Sequence, residues 1–165
     1  MVGLNSKKSI HIACQIVLIL GFGASVCFGS FSLFLRREEV HRLLGLNSEL
    51  YYVRDGKVNT YALGFEVVVP NEISELRFTW ESLIHQKLQY SMAVLVNKTE
   101  ALGTPHLDIP RKGLVPEEQE VFQVSLPCTG KQSEEVDVRI QINVTTESQL
   151  NVTFLTLKRR KICLK

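Results

Sequence analysis

The chain has 165 residues, of which 45% are hydrophobic and 22% are charged. This length suits one domain of ordinary size and is short for two hydrophobic cores. The composition is that of a folded protein and excludes a disordered or low-complexity chain. The formal net charge of +2 gives no basis for a nucleic-acid partner.

The N-terminal segment has the order of residues that is typical of a secretory signal peptide. Lys7 and Lys8 precede an uncharged run over 9–35, whose most apolar part is 16–22. A basic start before an apolar run directs export. An uncleaved signal anchor is the alternative, and it would also place the rest of the chain outside the cell, because the lysines keep the short N-terminus in the cytoplasm.

Small residues near the end of this run indicate where it is cleaved. Cys27 and Gly29 suit the positions that signal peptidase recognises, which predicts cleavage after Gly29, or alternatively after Cys27. We therefore predict a signal peptide over 1–29 and an extracellular domain over 30–165. Without the two leader lysines, the 19 basic residues fall to 17 and balance the 17 acidic ones.

The cysteine count agrees with export. Cys14 and Cys27 lie in the predicted leader and leave Cys128 and Cys163 in the mature chain. Two cysteines in an oxidising compartment allow one pairing, so we predict the disulfide Cys128–Cys163. Two buried free thiols are the alternative.

The hydrophobic pattern predicts a short helix followed by many short strands. The helix covers 36–44 and ends at Gly45, a residue suited to a left-handed cap. Asp55 and Gly56 lie between two strand-like runs and predict a type I′ hairpin turn. Strands are predicted at 49–54, 57–61, 61–69, 76–80, 88–96, 121–126, 136–144 and 150–157, with a brief extended piece at 106–109. The fold class is therefore mostly β: an antiparallel β-sandwich with one or two short α-helices.

Three sequons follow the leader, at Asn97, Asn143 and Asn151. None has proline at its second position, and an exported chain meets the glycosylation machinery, so all three are candidate N-glycosylation sites. Asn143 alternates with the apolar residues of its strand, which predicts that it faces solvent.

The histidines form no catalytic or metal-binding pattern. His41, His85 and His106 lie far apart, without a carboxylate or cysteine at metal-ligand spacing. The sequence also contains no phosphate-binding glycine loop and no Gly-x-Ser-x-Gly elbow. It therefore predicts a binding module that uses no cofactor, rather than an enzyme.

Dense charge occurs in the acidic run 117–120 and in the basic run Lys158, Arg159, Arg160 and Lys161. Short charge runs are usually solvated, so we predict a solvated loop and a solvated strand end. A heparan-sulfate contact or a furin-type processing site is the alternative interpretation of the basic run.

Six aromatic residues lie in two neighbouring regions of the chain. Most must be core, but any ring left exposed would form a recognition patch, since aromatic side chains supply rigid contact area. Adjacent strand residues point to opposite faces, so one of Tyr51 and Tyr52 is predicted outside. The clean alternation around Phe78 and Trp80 favours core positions for both. The six residues are Tyr51, Tyr52, Tyr61, Phe65, Phe78 and Trp80.

The chain resembles the WIF domain of the Ryk/Derailed receptors at both of its ends. The N-terminal likeness lies in VHRLLGLNSELYYVR (40–54), YAL (61–63) and FTW (78–80). The C-terminal likeness lies in PCTGK (127–131) and LKRRKIC (157–163). Together these motifs extend the resemblance over roughly residues 33–165, with a loose stretch across 97–116.

The resemblance implies a β-sandwich that binds Wnt proteins outside the cell, for signalling such as axon guidance. In full receptors of this family a membrane span follows, as the only attachment to the membrane, and then a kinase-like domain of impaired activity. Because Wnt proteins carry a fatty acyl chain, we expect a partly apolar contact, with Tyr51, Tyr52, Phe78 and Trp80 as candidate ligand-binding residues. A secreted decoy that binds the same ligand and a lipid-carrying β-sandwich are the alternatives.

We predict that the exported domain begins near Ser30 and carries at least two N-linked glycans. The leader is removed on export, and three sequons lie outside it. N-terminal sequencing, and gel mobility before and after peptide-N-glycosidase treatment of protein from a glycosylating host, measure the two features. A retained Lys7 would contradict cleavage, and unchanged mobility would contradict glycosylation.

Overall fold

The computed structural model describes residues 31–83, 87–146 and 152–165, so the predicted signal peptide over 1–29 lies outside the described residues. Within them the chain forms eleven β-strands and two short α-helices. In chain order they are β1 (Phe31–Leu35), α1 (Arg37–Leu44), β2 (Leu50–Arg54), β3 (Lys57–Val58), α2 (Thr60–Gly64), β4 (Val67–Val69), β5 (Glu75–Ser82), β6 (Leu88–Val96), β7 (His106–Leu107), β8 (Lys112–Leu114), β9 (Glu120–Ser125), β10 (Glu134–Thr146) and β11 (Val152–Cys163).

The strands form two sheets that pack face to face. The six-stranded sheet has the order β3-β2-β1-β5-β9-β7, and the five-stranded sheet has the order β4-β11-β10-β6-β8. Paired strands are antiparallel, except that β4 runs parallel to β11. Trp80 of β5 packs against Tyr90 of β6, with ring centroids 4.8 Å apart, and so joins the two inner faces. The predicted mostly β sandwich with short helices is confirmed.

The core follows from strict alternation along the long strands. On β10 every second residue is buried: Val136, Val138, Ile140, Ile142 and Val144. Stacked rings from the six-stranded sheet face this layer, since Phe78 and Phe122 have centroids 5.3 Å apart. Each large side chain buried in this way contributes about 1.5–3 kcal/mol to folding.

The hairpin turn between β2 and β3 has the predicted type I′ conformation. Asp55 has φ 49° and Gly56 has φ 79°, so both central residues are left-handed. The Ser32 hydroxyl accepts a hydrogen bond from the Asp55 N–H at 3.1 Å. The Gly56 N–H donates to the Phe31 carbonyl at 3.0 Å, so the turn is fixed to β1 as well as to its own strands.

Helix α1 begins and ends close to the predicted positions. Gly45 ends it with φ 69° and donates its N–H to the His41 carbonyl at 2.9 Å. The buried Glu39 carboxylate accepts hydrogen bonds from the Arg77 N–H on β5, at 3.0 Å, and from Arg42 Nη2, at 2.6 Å. A charge buried here is tolerated because it is paired and hydrogen-bonded, and it attaches α1 to the six-stranded sheet.

The predicted strands 57–61 and 61–69 are wrong for most of their length. The chain forms β3 over two residues, then the single-turn helix α2, and returns to a strand only at β4. Asn59 causes the change, because its Oδ1 accepts a hydrogen bond from the Ala62 N–H at 3.1 Å and caps the helix. The strand then stops before Pro70, as predicted.

The Pro/Gly-rich stretch 97–116 is held against the sandwich by two short strands. β7 extends the six-stranded sheet and β8 extends the five-stranded sheet. The Tyr90 hydroxyl donates to the Pro110 carbonyl at 2.7 Å. A Cβ on Gly113 would lie 3.1 Å from the Tyr90 ring, so glycine allows β8 to approach this closely.

Cys128 and Cys163 form a disulfide with a Cα–Cα distance of 5.4 Å. The bridge connects the segment after β9 to the end of β11 and spans 35 residues of sequence. A loop of this size contributes about 3–4 kcal/mol in the chain-entropy description of disulfides. It therefore stabilises the attachment of the last strand.

We predict that Asn59→Ala lowers the free energy of unfolding by about 1 kcal/mol, because the N-cap of α2 is lost. Asn59→Asp is the matched control, since it keeps an oxygen for the Ala62 N–H but loses the Nδ2 hydrogen bond to the Tyr51 carbonyl. Urea denaturation of the three proteins measures the difference. Equal stability of the Asn59→Ala variant and the parent would contradict the capping role.

Candidate ligand-binding surface

The four predicted ligand-binding aromatics do not form one surface. Tyr52, Phe78 and Trp80 are buried in the core, where they contact other side chains and are closed to a surface partner. The prediction that these three residues contact a ligand at the surface is therefore wrong. The strand alternation that places Phe78 and Trp80 on one face of β5 directs that face inward. Tyr51 is half-exposed.

A shift in strand register explains why Tyr51 and Tyr52 differ. Leu33 of β1 pairs with Val53, whereas Phe34 pairs with Tyr51, so Tyr52 is an extra residue in β2. Such a bulge changes the direction of the side chains on one strand. Tyr51 lies on the outer face of the sheet and Tyr52 in the interior, in agreement with the prediction that one of the two faces outward.

Tyr51 is a rigid, half-exposed ring. It stacks on Phe34, with centroids 4.6 Å apart and an interplanar angle of 19°. The Arg54 guanidinium lies 4.7 Å from the ring centroid, and the hydroxyl donates to Glu49 at 3.2 Å. Burial, followed by the charge of Glu49, raises the pKa of Tyr51 above 10.0. The phenol therefore stays neutral at physiological pH.

Two cavities lie on the outer face of the six-stranded sheet, and Tyr51 lines the first of them. The first, of about 300 Å³, is lined by Phe34, Arg36, Arg37, Glu38, Glu49, Tyr51 and Gln119. The second, of about 310 Å³, is lined by Arg36, Glu38, Glu39, Arg77, Thr79 and Val121. Strand register aligns Phe34 with Tyr51 on one side and with Thr79 on the other. The face thus presents aromatic and apolar groups with a rim of both charges.

Two further aromatic rings, Tyr61 on α2 and Phe65 directly after it, are the most exposed of the six. Tyr61 is 84% exposed and Phe65 is 66% exposed. Asn59 joins α2 to β2, since its Nδ2 donates to the Tyr51 carbonyl at 3.0 Å and its N–H donates to the Tyr52 carbonyl at 2.8 Å. Because a strand was predicted over 61–69, the exposure of these two rings was not predicted. Asn59 before Thr60 is nevertheless a helix-start signal.

The basic run is not the solvated strand end that was predicted. It lies within β11, which is paired with β10 on one side and β4 on the other, so its side chains alternate in direction. Lys158 is exposed and Arg160 is half-exposed, whereas Arg159 and Lys161 are 1% and 0% exposed. A protease that needs an extended free segment finds none here. For heparan sulfate, only Lys158 and the ion-paired Arg160 remain.

The buried Arg159 lies between aromatic rings of the facing sheet. Its guanidinium carbon is 5.4 Å from the Tyr52 centroid and 5.7 Å from the Phe78 centroid. Nη2 donates to the Tyr52 hydroxyl at 2.5 Å, and Nη1 donates to the Lys158 carbonyl at 2.9 Å. Aromatic faces stabilise a cation that has lost its hydration.

The buried Lys161 is satisfied by the backbone alone. Its ammonium donates to the carbonyls of Pro70, Asn71 and Ile73 at 2.6, 3.1 and 2.7 Å. Burial lowers the pKa of Lys161 to about 8, and the charge of Glu72 opposes this shift. The three bonds fix the turn between β4 and β5 to the end of β11.

The described sequons lie on the outside of the five-stranded sheet. Asn97 is exposed, and its amide exchanges two hydrogen bonds of 3.0 Å with Asp137. Asn143 is half-buried in the middle of β10. Asn151 lies outside the described residues. Glycosylation of all three stays a prediction.

Over the described ranges, no group of three or more His, Cys, Asp and Glu residues is arranged to hold a metal ion. Neither of the two described helices has the length and apolar character of a membrane span. The candidate site consists of Tyr51 with the cavity that it lines, the exposed Tyr61 ring on α2 and the exposed Phe65 ring at the end of α2.

A family profile described as "WIF domain" matches residues 33–163. The chain is 45% identical to "Tyrosine-protein kinase RYK" of Mus musculus over 136 residues, which are 82% of this chain and 23% of the relative. It is 44% identical to "Tyrosine-protein kinase Drl" of Drosophila melanogaster over 135 residues, 81% of this chain and 22% of the relative. It is 24% identical to "Wnt inhibitory factor 1" of Homo sapiens over 148 residues, 81% of this chain and 39% of that protein. The chain thus spans less than a quarter of the two kinases.

We predict that Lys161→Met lowers the free energy of unfolding by about 2 kcal/mol at pH 7, because three buried or half-buried carbonyls lose the ammonium as a donor. The exposed Lys158→Met is the matched control, with a change within about 0.5 kcal/mol.

The pKa of Lys161 also gives this prediction a pH dependence. Between about 8 and 10.5 the unfolded chain binds the Lys161 proton while the folded protein releases it. The contribution of this lysine to stability therefore rises with pH across that window. Denaturation of parent and Lys161→Met protein from pH 7 to 10 should show a difference that grows with pH. Parallel pH curves would contradict the lowered pKa.

Proposed function

The chain belongs to the WIF domain family, and on this premise we propose that it binds a Wnt protein outside the cell as the ligand-binding domain of a Ryk/Derailed-like receptor. The names of its relatives support this proposal, since two are tyrosine-protein kinases of the Ryk and Drl type and another is a Wnt inhibitory factor. Identity of 45% and 44% to the kinases, against 24% to the inhibitory factor, favours the receptor over a secreted decoy. Signalling such as axon guidance would follow from ligand binding.

The exposed aromatic residues beside β2 are the observation that carries the proposed binding surface. Tyr51, Tyr61 and Phe65 are partly or largely exposed, and Asn59 holds the two segments that bear them together. Aromatic anchors supply much of the energy of protein interfaces because they bury a large area at a low entropic cost. An apolar group such as the Wnt acyl chain would pack on these rings.

The charged rim of the two cavities would supply orientation rather than affinity. Arg36, Arg37 and Arg77 line these cavities together with Glu38 and Glu49. Exposed charges of both signs steer a partner and select its orientation, while adding little free energy individually. A one-to-one complex that needs neither metal nor nucleotide is the expected form.

We predict that Tyr51→Ala, Tyr61→Ala or Phe65→Ala weakens Wnt binding by about 1 kcal/mol or more, or roughly fivefold, with little change in Tm. Leu95→Ala is the control, because Leu95 is exposed on the outer face of the opposite sheet. Biolayer interferometry with purified Wnt protein, together with thermal denaturation, measures both quantities. Parental affinity in all three variants would exclude this surface.

A further inference from the structure

Phe154 is a large apolar side chain in an unusual position on the outer face of the five-stranded sheet. It is 71% exposed, although it lies within β11, a strand whose inward-facing residues belong to the core. Its neighbours along the same face do not cover it: Val152 precedes it, and Thr156 and Lys158 follow it. Leaving a phenylalanine ring in water costs the burial energy that an aromatic side chain otherwise provides. The ring is therefore available to a group attached to the same face of the sheet.

Strand register places Phe154 directly opposite Asn143 of β10. Directly opposed residues of an antiparallel pair have Cβ atoms about 4.5–5.5 Å apart on the same face. Thr145, the third residue of the Asn143 sequon, alternates onto that face as well. A sequon asparagine, its threonine and an exposed aromatic ring are thus neighbours on one sheet surface.

On the side away from Phe154, toward β6, Asn143 borders a polar groove. The groove, of about 480 Å³, is lined by residues of β10, β6 and the edge strand β8, including the polar residues Gln89, Ser91 and Lys112. Ser91 is the register partner of Asn143 on β6. Asn143 therefore lies between an aromatic ring and a polar groove.

We infer that Asn143 carries an N-linked glycan and that Phe154 is the platform on which its first N-acetylglucosamine packs. This inference rests on the extracellular location proposed above. In the transfer, Asn143 Nδ2 forms a bond to the anomeric carbon of the sugar and gives up one proton. The bond from that carbon to the diphosphate of a lipid-linked oligosaccharide donor breaks, and the lipid diphosphate leaves.

The two faces of a sugar ring suit the two sides of Asn143. One face of N-acetylglucosamine presents C–H groups, which pack on an aromatic ring and remove apolar surface from water. The hydroxyl and acetamido groups at its edge remain free for water or for the polar groove. The glycan would cover the middle of this sheet and leave the Tyr51 face open to a protein ligand.

A double-mutant cycle in protein from a glycosylating host tests the contact. Mass spectrometry of the parent should find Asn143 occupied. Loss of the glycan by Asn143→Gln should lower Tm by about 2–4 °C in the parent, which corresponds to an aromatic contact of about 1 kcal/mol. In a Phe154→Leu background, which keeps an apolar side chain without the ring, the same loss should change Tm by less than half as much. Leu95→Ala, distant on the same face, is the matched control background and should leave the full glycan effect.

A second readout reports the contact directly. Thr99→Ala and Thr153→Ala remove the other two sequons while keeping the Asn97–Asp137 hydrogen bonds. After trimming to a single sugar, ring current should shift the proton resonances of that N-acetylglucosamine upfield, and Phe154→Leu should abolish the shift. An unoccupied Asn143 would overturn the inference, and so would equal glycan effects with and without the ring. Neither measurement uses a Wnt ligand, so failure here is distinct from failure of the proposed function.

Discussion

The end of the domain depends on one buried cation, the ammonium of Lys161, which is bound by three backbone carbonyls of the turn after β4. Burying a charge without an acidic partner is costly unless its hydrogen bonds are complete. The same bonds give the Asn71 and Ile73 carbonyls a donor, while the Pro70 carbonyl also accepts the Ile73 N–H within the turn, at 3.1 Å. Leu164 continues the attachment, because its N–H donates to Asn71 Oδ1 at 3.0 Å. β4, the turn and β11 therefore form one unit, which the disulfide at Cys163 closes.

The sequence predicted those elements whose information is local. The alternation of β10, the positive φ angles at Asp55 and Gly56 and the cap at Gly45 each depend on a few neighbouring residues, and the structure has all three. The burial of Arg159 and Lys161 depends on partners far away in sequence, such as Tyr52 and the 70–73 turn. A run of four basic residues looks solvated until those acceptors are known.

Local signals also competed with each other around β2. The apolar run after Thr60 predicts a strand, but the Asn59 cap favours a helix, and the cap prevailed over one turn. The inserted Tyr52 could not be recognised as a bulge, because a bulge is defined by the register of the partner strand β1. These two departures are what expose Tyr61 and Phe65 and separate Tyr51 from the core. The sequence therefore predicted the candidate site only in part: it indicated a segment rich in aromatic residues, but not which of its rings are exposed.

The parallel pairing of β4 with β11 also bears on how the chain is made. Val67 pairs with Arg159, so the partner of β4 is synthesised roughly 90 residues later, a delay on the order of 5–20 s at usual rates of elongation. During this interval three consecutive valines form an apolar edge without a neighbour, and such edges promote association between chains. The Pro70, Asn71 and Ile73 carbonyls lack the Lys161 ammonium over the same period. Vectorial synthesis thus leaves this edge of the sandwich unpaired until β11 emerges, and the incomplete domain is most prone to association with other chains during that interval.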